Sequence, residues 1–145
     1  MILSYENSNK QRLLEIFDSN VPSYFDPSER QQFIDYLQKV PKNYFVFSRA
    51  GRIVGSGGFL FRSKIEGRIV WLMVDQSVHN KGVGRELMHY FEDEMKRQVE
   101  LKLISLMTSQ HTDQFYNKLG YRTIRTENDF WAKGMHLYYM EKQLK

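Results

Sequence analysis

One stretch limits the fold more than any other. Arg68 to Val74 reads as a β-strand that is apolar on both faces near its end. Such a strand is covered on both sides, as strands in layered α/β proteins are. A polar loop follows from Asp75 to Asn80, and then two glycines, Gly82 and Gly84, spaced by one residue. Gly84 to Glu100 reads as a long helix, with Val83, Leu87, Phe91, Met95 and Val99 along one side. Leu101 to Thr108 has the pattern of another strand. Strand, helix and strand in that order form a crossover, which sets Arg68–Val74 and Leu101–Thr108 parallel.

The flanking segments complete an α/β fold with a mixed sheet. Ser8 to Asn20 reads as a helix with Ser8 and Gln11 as a capping box and Leu13, Leu14 and Phe17 on one face. A second helix starts at Asp26-Pro27-Ser28-Glu29, with Asp26 as cap and Glu29 closing the box. Phe33, Ile34, Leu37 and Val40 form its buried stripe, and it ends at Pro41. Tyr44 to Ser48 and Arg52 to Phe61 are strands joined by a turn at Arg49-Ala50-Gly51. Thr112 to Leu119 is a short helix stopped by Gly120. Tyr121 to Arg125 and Met135 to Met140 are the last strands, and Ile2 to Tyr5 is the first. The order is βααβββαβαββ, in one domain over residues 1–145.

Composition removes several classes of function. The 145 residues are 41% hydrophobic and 14% aromatic, enough to bury a core without staples. There is no Cys, so disulfides, thiolate metal sites and cysteine nucleophiles are all excluded. That composition suits a reducing cytoplasm. The N-terminal residues lack the features of a signal peptide, and Ile69 to Val74 is the longest aliphatic run, so no membrane span is expected. The net charge is +4. A basic balance permits an anionic partner, but Lys and Arg are dispersed rather than clustered, which argues against specific nucleic-acid binding. The four histidines, at 79, 89, 111 and 136, show no metal-ligand spacing, so no metal is expected.

The loop between Val74 and Arg85 has the physics of an anion site. Backbone N–H groups at a helix N-terminus converge on one spot, and the helix dipole adds positive potential. Glycine lets a phosphate come close to the backbone. Lys81 and Arg85 add formal charge beside it. A glycine-rich turn feeding a helix is the plain alternative. No Gly-Lys-Ser/Thr follows, so this is not a Walker loop, and the third glycine of a dinucleotide fingerprint is missing.

The segment resembles the acyl-CoA pyrophosphate loop of the GCN5-related N-acetyltransferases, the GNAT superfamily. Gly82 and Gly84 match that family's Gln/Arg-x-x-Gly-x-Gly/Ala pattern, and His79 stands where Gln or Arg is usual. Downstream, Phe115-Tyr116-Asn117-Lys118-Leu119-Gly120-Tyr121 is similar to the family's Phe-Tyr-x-x-x-Gly-Phe. Ser109 occupies a position where members often carry Asn. The resemblance covers nearly the whole chain and implies the acyl-CoA N-acyltransferase fold. It implies acetyl-CoA as co-substrate, with pantetheine and the thioester on the backbone of Leu72, Met73 and Val74. The pyrophosphate would lie on Asn80, Lys81, Gly82, Val83, Gly84 and Arg85, with His79 and Ser109 as further contacts. Tyr116 would be the general acid for the departing thiolate, and a homodimer is common in the family.

The general base is less defined. Some members use a Glu six residues before the strand's terminal Val, where this chain has Arg68. Glu66 is the nearby candidate, and a water chain, Glu6 and Asp75 are alternatives. Gly55-Ser56-Gly57-Gly58 is phosphate-loop-like in composition but lies inside a strand, so a bulge or a close backbone approach is expected there. The loop Thr126 to Gly134, together with Tyr24 and Phe25, are candidates for shaping the acceptor pocket. The activity expected is acetyl transfer from acetyl-CoA to a primary amine, on a small molecule or peptide, by direct attack. A non-catalytic acyl-CoA sensor and a basic nucleic-acid-binding domain are the rivals.

Overall fold

The computed structural model describes residues 1–78 and 82–145. The described elements follow the expected order, and the architecture is mixed α/β. The chain divides into two compact units, one of Met1–Gly58 with Trp71–Phe91 and the other of Phe59–Val70 with Glu92–Lys145. The first unit holds β1 (Ile2–Ser4), α1 (Lys10–Ser19), α2 (Arg30–Gln38) and β2 (Tyr44–Arg49). The second holds β5 (Leu103–Thr108), α4 (Asp113–Asn117), β6 (Arg122–Ala132) and β7 (Met135–Gln143). Three elements run from one unit into the other: β3 (Arg52–Phe61), β4 (Glu66–Val74) and α3 (Val83–Met95).

Hydrogen-bonded neighbours follow the order β1-β2-β3-β4-β5-β7-β6. The β4–β5 pair is parallel and registers Glu66 with Leu103 and Arg68 with Ser105, as a crossover requires. The β1–β2, β2–β3, β5–β7 and β6–β7 ladders are antiparallel.

The first unit's core is aromatic. Leu13, Ile16, Phe17, Phe33, Leu37 and Tyr44 are all buried in it. Phe17 stacks on Phe25 at 5.0 Å and on Phe33 at 5.8 Å between ring centres. The second unit buries Leu101, Ile104, Leu106, Tyr121, Leu137 and Met140. There a polar triad joins α3 to the sheet. Tyr121 Oη donates to Glu92 at 2.8 Å, and Lys142 Nζ donates to the same carboxylate at 3.0 Å.

Several local expectations need correction. The first capping box is Glu6 with Asn9, not Ser8 with Gln11, because a 3-10 turn at Asn7–Asn9 precedes α1. The second box, Asp26 with Glu29, is as expected. Val40 is exposed, since α2 stops at Gln38 and Val40 turns left-handed at φ 48°. Val99 is 82% exposed because α3 ends at Met95. The stretch from Thr126 is not a loop: β6 continues to Ala132, and the turn falls between it and β7 at Met135. Edge position and exposure hid that strand, because one-sided burial is what writes an alternating pattern.

Candidate active site

The proposed cofactor strand ends in a strained bend. Trp71 adopts φ 47°, a left-handed conformation that costs a bulky residue ~1–3 kcal/mol. Its surroundings hold it there. Tyr44 Oη donates to the Trp71 carbonyl at 2.7 Å, and the Trp71 ring packs on Phe33 at 5.1 Å and on Phe25 at 5.9 Å. Leu72, Met73 and Val74 follow directly, with Met73 buried and Leu72 and Val74 half-buried.

The exit from β4 is tied to α1 residue by residue. The Val74 carbonyl accepts from Asn20 Nδ2 at 3.0 Å. Asp75 is 2% exposed and pairs with Arg12 Nη2. Gln76 N–H donates to Ser19 Oγ at 3.1 Å. Asp75 Oδ1 also accepts from Ser77 N at 2.9 Å and from Ser77 Oγ at 2.7 Å. Burial pushes the Asp75 carboxyl up, but the Ser77 and Arg12 bonds outweigh it and hold it below the usual carboxylate range. Asp75 is therefore a charged structural ligand of its loop, which does not suit a general base.

His79, Asn80 and Lys81 lie outside the described residues. The chain re-enters at Gly82, whose φ of 89° is costly for any residue with a side chain. A Cβ built at Gly82 meets no described atom within 4 Å, so among the described residues its backbone is open to an approaching group. The Gly82 carbonyl accepts the first α3 bond, from Glu86 N at 2.9 Å. Val83 is buried, Gly84 lies in the first turn of α3, and Arg85 is exposed with no salt-bridge partner among the described residues. Gly55 on β3 lets this turn sit close, because a Cβ there would fall 2.8 Å from Val83 Cγ1 and 3.2 Å from the Met73 carbonyl. That is the close backbone approach expected of the glycine run. A register shift in the β2–β3 ladder lies beside it, at Phe47/Ser48.

Tyr116, Ser109 and Glu66 belong to the second unit. Tyr116 on α4 is 8% exposed, with its ring edge-on to Phe115 at 4.9 Å and to Tyr121 at 6.2 Å. Burial raises its phenol well above the ordinary tyrosine value. No described group hydrogen-bonds its hydroxyl. Ser109 caps the turn into α4, since its Oγ accepts from His111 N at 3.3 Å and its carbonyl accepts from Asp113 N at 3.1 Å. Glu66 opens β4, at the opposite end of the strand from Val74. Its Oε2 accepts from Ser105 Oγ at 2.6 Å and lies 3.5 Å from Arg68 Nη2. Arg68 in turn donates to Ser105 at 2.7 Å. Glu66 is thus bound into an ion-pair network. Glu6 is likewise engaged in capping its own turn.

Among the described residues, no group of three or more His, Asp or Glu could hold a metal ion, and no helix is long and apolar enough to cross a membrane. Sequence reasoning missed Arg12, Ser19 and Asn20. A signal existed: with Ile16 they follow i, i+4, i+7, i+8 spacing, so polar residues continue a buried helical stripe.

Comparison with known proteins bears on what this arrangement does. A family model described as an acetyltransferase (GNAT) domain matches residues 11–144. No curated protein sequence matches the chain. Among solved structures, Ard1 from Thermoplasma volcanium superposes with a TM-score of 0.83 at 21% identity, covering 100% of this chain and 97% of that one. The ribosomal-protein-S18-alanine N-acetyltransferase from Escherichia coli gives 0.80 at 15% identity, covering 100% and 94%. An aminoglycoside 6'-N-acetyltransferase in complex with coenzyme A gives 0.77 at 17% identity, covering 100% and 97%. At these identities the likeness is one of fold.

Proposed function

The chain belongs to the GNAT acetyltransferase family, and from that premise we propose that it moves an acetyl group from acetyl-CoA to a primary amine by direct attack. Both units would serve as one catalytic domain, since the family model spans residues of each. The observation that carries the reading is the open backbone at Gly82, set between the bent end of β4 and the first turn of α3. That cradle suits a phosphate: the N–H groups of a helix N-terminus, a helix dipole, and Arg85, which is exposed and has no ion-pair partner among the described residues.

Acetyl-CoA supplies an activated acyl group on sulfur when bound. The residues would divide the remaining work. Gly82, Val83 and Gly84 offer backbone N–H groups to the pyrophosphate, with Arg85 adding charge. His79, Asn80 and Lys81 would complete that loop. Leu72, Met73 and Val74 present strand backbone to the pantetheine arm, and an N–H at Met73 or Val74 polarises the carbonyl under attack. Tyr116 keeps a proton on Oη at neutral pH and delivers it to the departing sulfur. The attacking amine is mostly protonated at neutral pH, so a base must take one proton before attack, and the second proton, lost from nitrogen as the amide forms, restores the Tyr116 hydroxyl. A water chain fits this role better than Glu66, Glu6 or Asp75, whose carboxylates are engaged elsewhere.

The acceptor is a small-molecule or peptide amine, and a cytoplasmic setting suits a chain without Cys. A panel of amines, assayed for acetyl-CoA-dependent release of free thiol, tests the reading. Turnover with at least one amine supports an enzyme. Tight acetyl-CoA binding without turnover across the panel favours the sensor.

A further inference from the structure

We propose that Arg12 is a positioning residue for acetyl-CoA binding: acting through Asp75, it fixes the direction in which the chain leaves β4. The inference rests on the acyl-CoA reading of the β4 end, and it assigns a role to a helix outside that site.

Arg12 spans two strands from one planar group. Its Nε donates to the Ile53 carbonyl of β3 at 2.9 Å, while Nη2 bonds Asp75 just past β4. Its side chain is 18% exposed and that of Asp75 only 2%, so the pair is largely removed from water. Burial of Asp75 is unfavourable unless its oxygens are fully used, and here Arg12 takes one while Ser77 takes the other. Buried pairs of this sort add little stability over an apolar replacement. What the fork adds is geometry, because a guanidinium holds two acceptors at a fixed angle and a lysine cannot.

The rest of α1 repeats the pattern. Asn20 Nδ2 joins the Ile16 carbonyl at 2.8 Å to the Val74 carbonyl at 3.0 Å. Ser19 Oγ donates to Ile16 O at 2.7 Å and accepts from Gln76 N at 3.1 Å. Three consecutive residues, Val74, Asp75 and Gln76, are thereby each anchored to α1 or to Asn20, its C-terminal cap. None of the α1 side chains is among the residues proposed to touch acetyl-CoA, so their effect on its affinity is indirect.

The test is a double-mutant cycle read in acetyl-CoA affinity by calorimetry, with kcat and KM measured on any amine that turns over. Arg12→Lys, which keeps the charge but loses the fork, should fold and bind acetyl-CoA about tenfold more weakly, with kcat within about twofold of wild type. Arg12→Met should bind more weakly still. Combined with Asp75→Asn, it should lose no more than the worse single variant. Arg30→Lys alters an exposed pair with Asp18 on neighbouring elements and should change nothing. If Arg12→Met fails to fold, Arg12→Lys alone decides. Unchanged affinity in folded Arg12→Lys, additive losses in the cycle, or a fall in kcat at constant affinity would each overturn the proposal while leaving the acyl-CoA reading intact. Wild-type protein that does not bind acetyl-CoA overturns both.

Discussion

Tyr116 carries most of the proposed chemistry, and its environment sets its protonation. Burial favours the neutral phenol, so Oη stays protonated well past the ordinary tyrosine range. A group kept neutral on folding stabilises the protein fully below the unfolded value of about 10, and that contribution fades as pH rises beyond it. The acid role predicts that Tyr116→Phe lowers kcat by about 10²–10⁴ while acetyl-CoA affinity holds. Steady-state kinetics alongside calorimetry check this, and an unchanged kcat with chemistry rate-limiting removes the role. Gly82 makes a second residue-level prediction. Gly82→Val places a Cβ where no described protein atom lies within 4 Å, so the fold should survive. On the proposed reading the same Cβ would occupy the space a phosphate needs, and φ 89° is unfavourable for valine. Acetyl-CoA binding should be lost while circular dichroism is retained, and binding equal to wild type places the pyrophosphate elsewhere.

At the scale of elements, the bend in β4 and the turn into α3 are held by buried groups that can be removed singly. Tyr44 Oη, itself fully buried, bonds the Trp71 carbonyl and the buried Ser56 Oγ. Tyr44→Phe leaves those groups short of a partner and should cost about 1–3 kcal/mol in urea unfolding. Gly55→Ala should cost a similar ~1–3 kcal/mol, because the added methyl meets Val83 Cγ1 at 2.8 Å and α3 must shift. The Asp75 pair adds a pH dependence. Its folded carboxyl is held low, so its contribution is present above the unfolded value of about 3.9 and is lost as pH falls through the folded one. In Arg12→Lys that acid-side loss should be smaller and should be complete at a higher pH. Element identity was legible where a pattern had a period: α1, α2, α3 and the parallel pair of strands all followed from spacing. Ends were not, because Val40 and Val99 continue an apolar stripe past the point where the backbone turns away. The β6 strand was illegible beyond Arg125, since a strand exposed on both faces carries no alternation.

Across the whole molecule, the two glycines at the start of α3 and the Phe-Tyr-x-x-x-Gly-Tyr segment were enough to indicate the family, since both are written in contiguous residues. Arg12, Ser19 and Asn20 were not readable in that way. Their partners at Val74, Asp75 and Gln76 lie more than fifty residues along the chain, and only folding brings them together. The net charge of +4 acts at this scale too. Dispersed charge draws an anionic ligand without a preference for nucleic acid, so the proposal assigns specificity to the strand end and the glycine cradle. Thermal unfolding with and without ligand tests that claim most directly and needs no knowledge of the acceptor. A ligand at a hundredfold excess over its Kd stabilises the folded state by about 2.7 kcal/mol, which raises Tm by roughly 5–10 °C for a chain of this size. Acetyl-CoA and CoA should both produce that shift. ATP, NAD and duplex DNA should produce much less, since none offers a pantetheine arm to the backbone at Leu72–Val74. A Tm that stays in place under millimolar acetyl-CoA, while DNA raises it, contradicts the account.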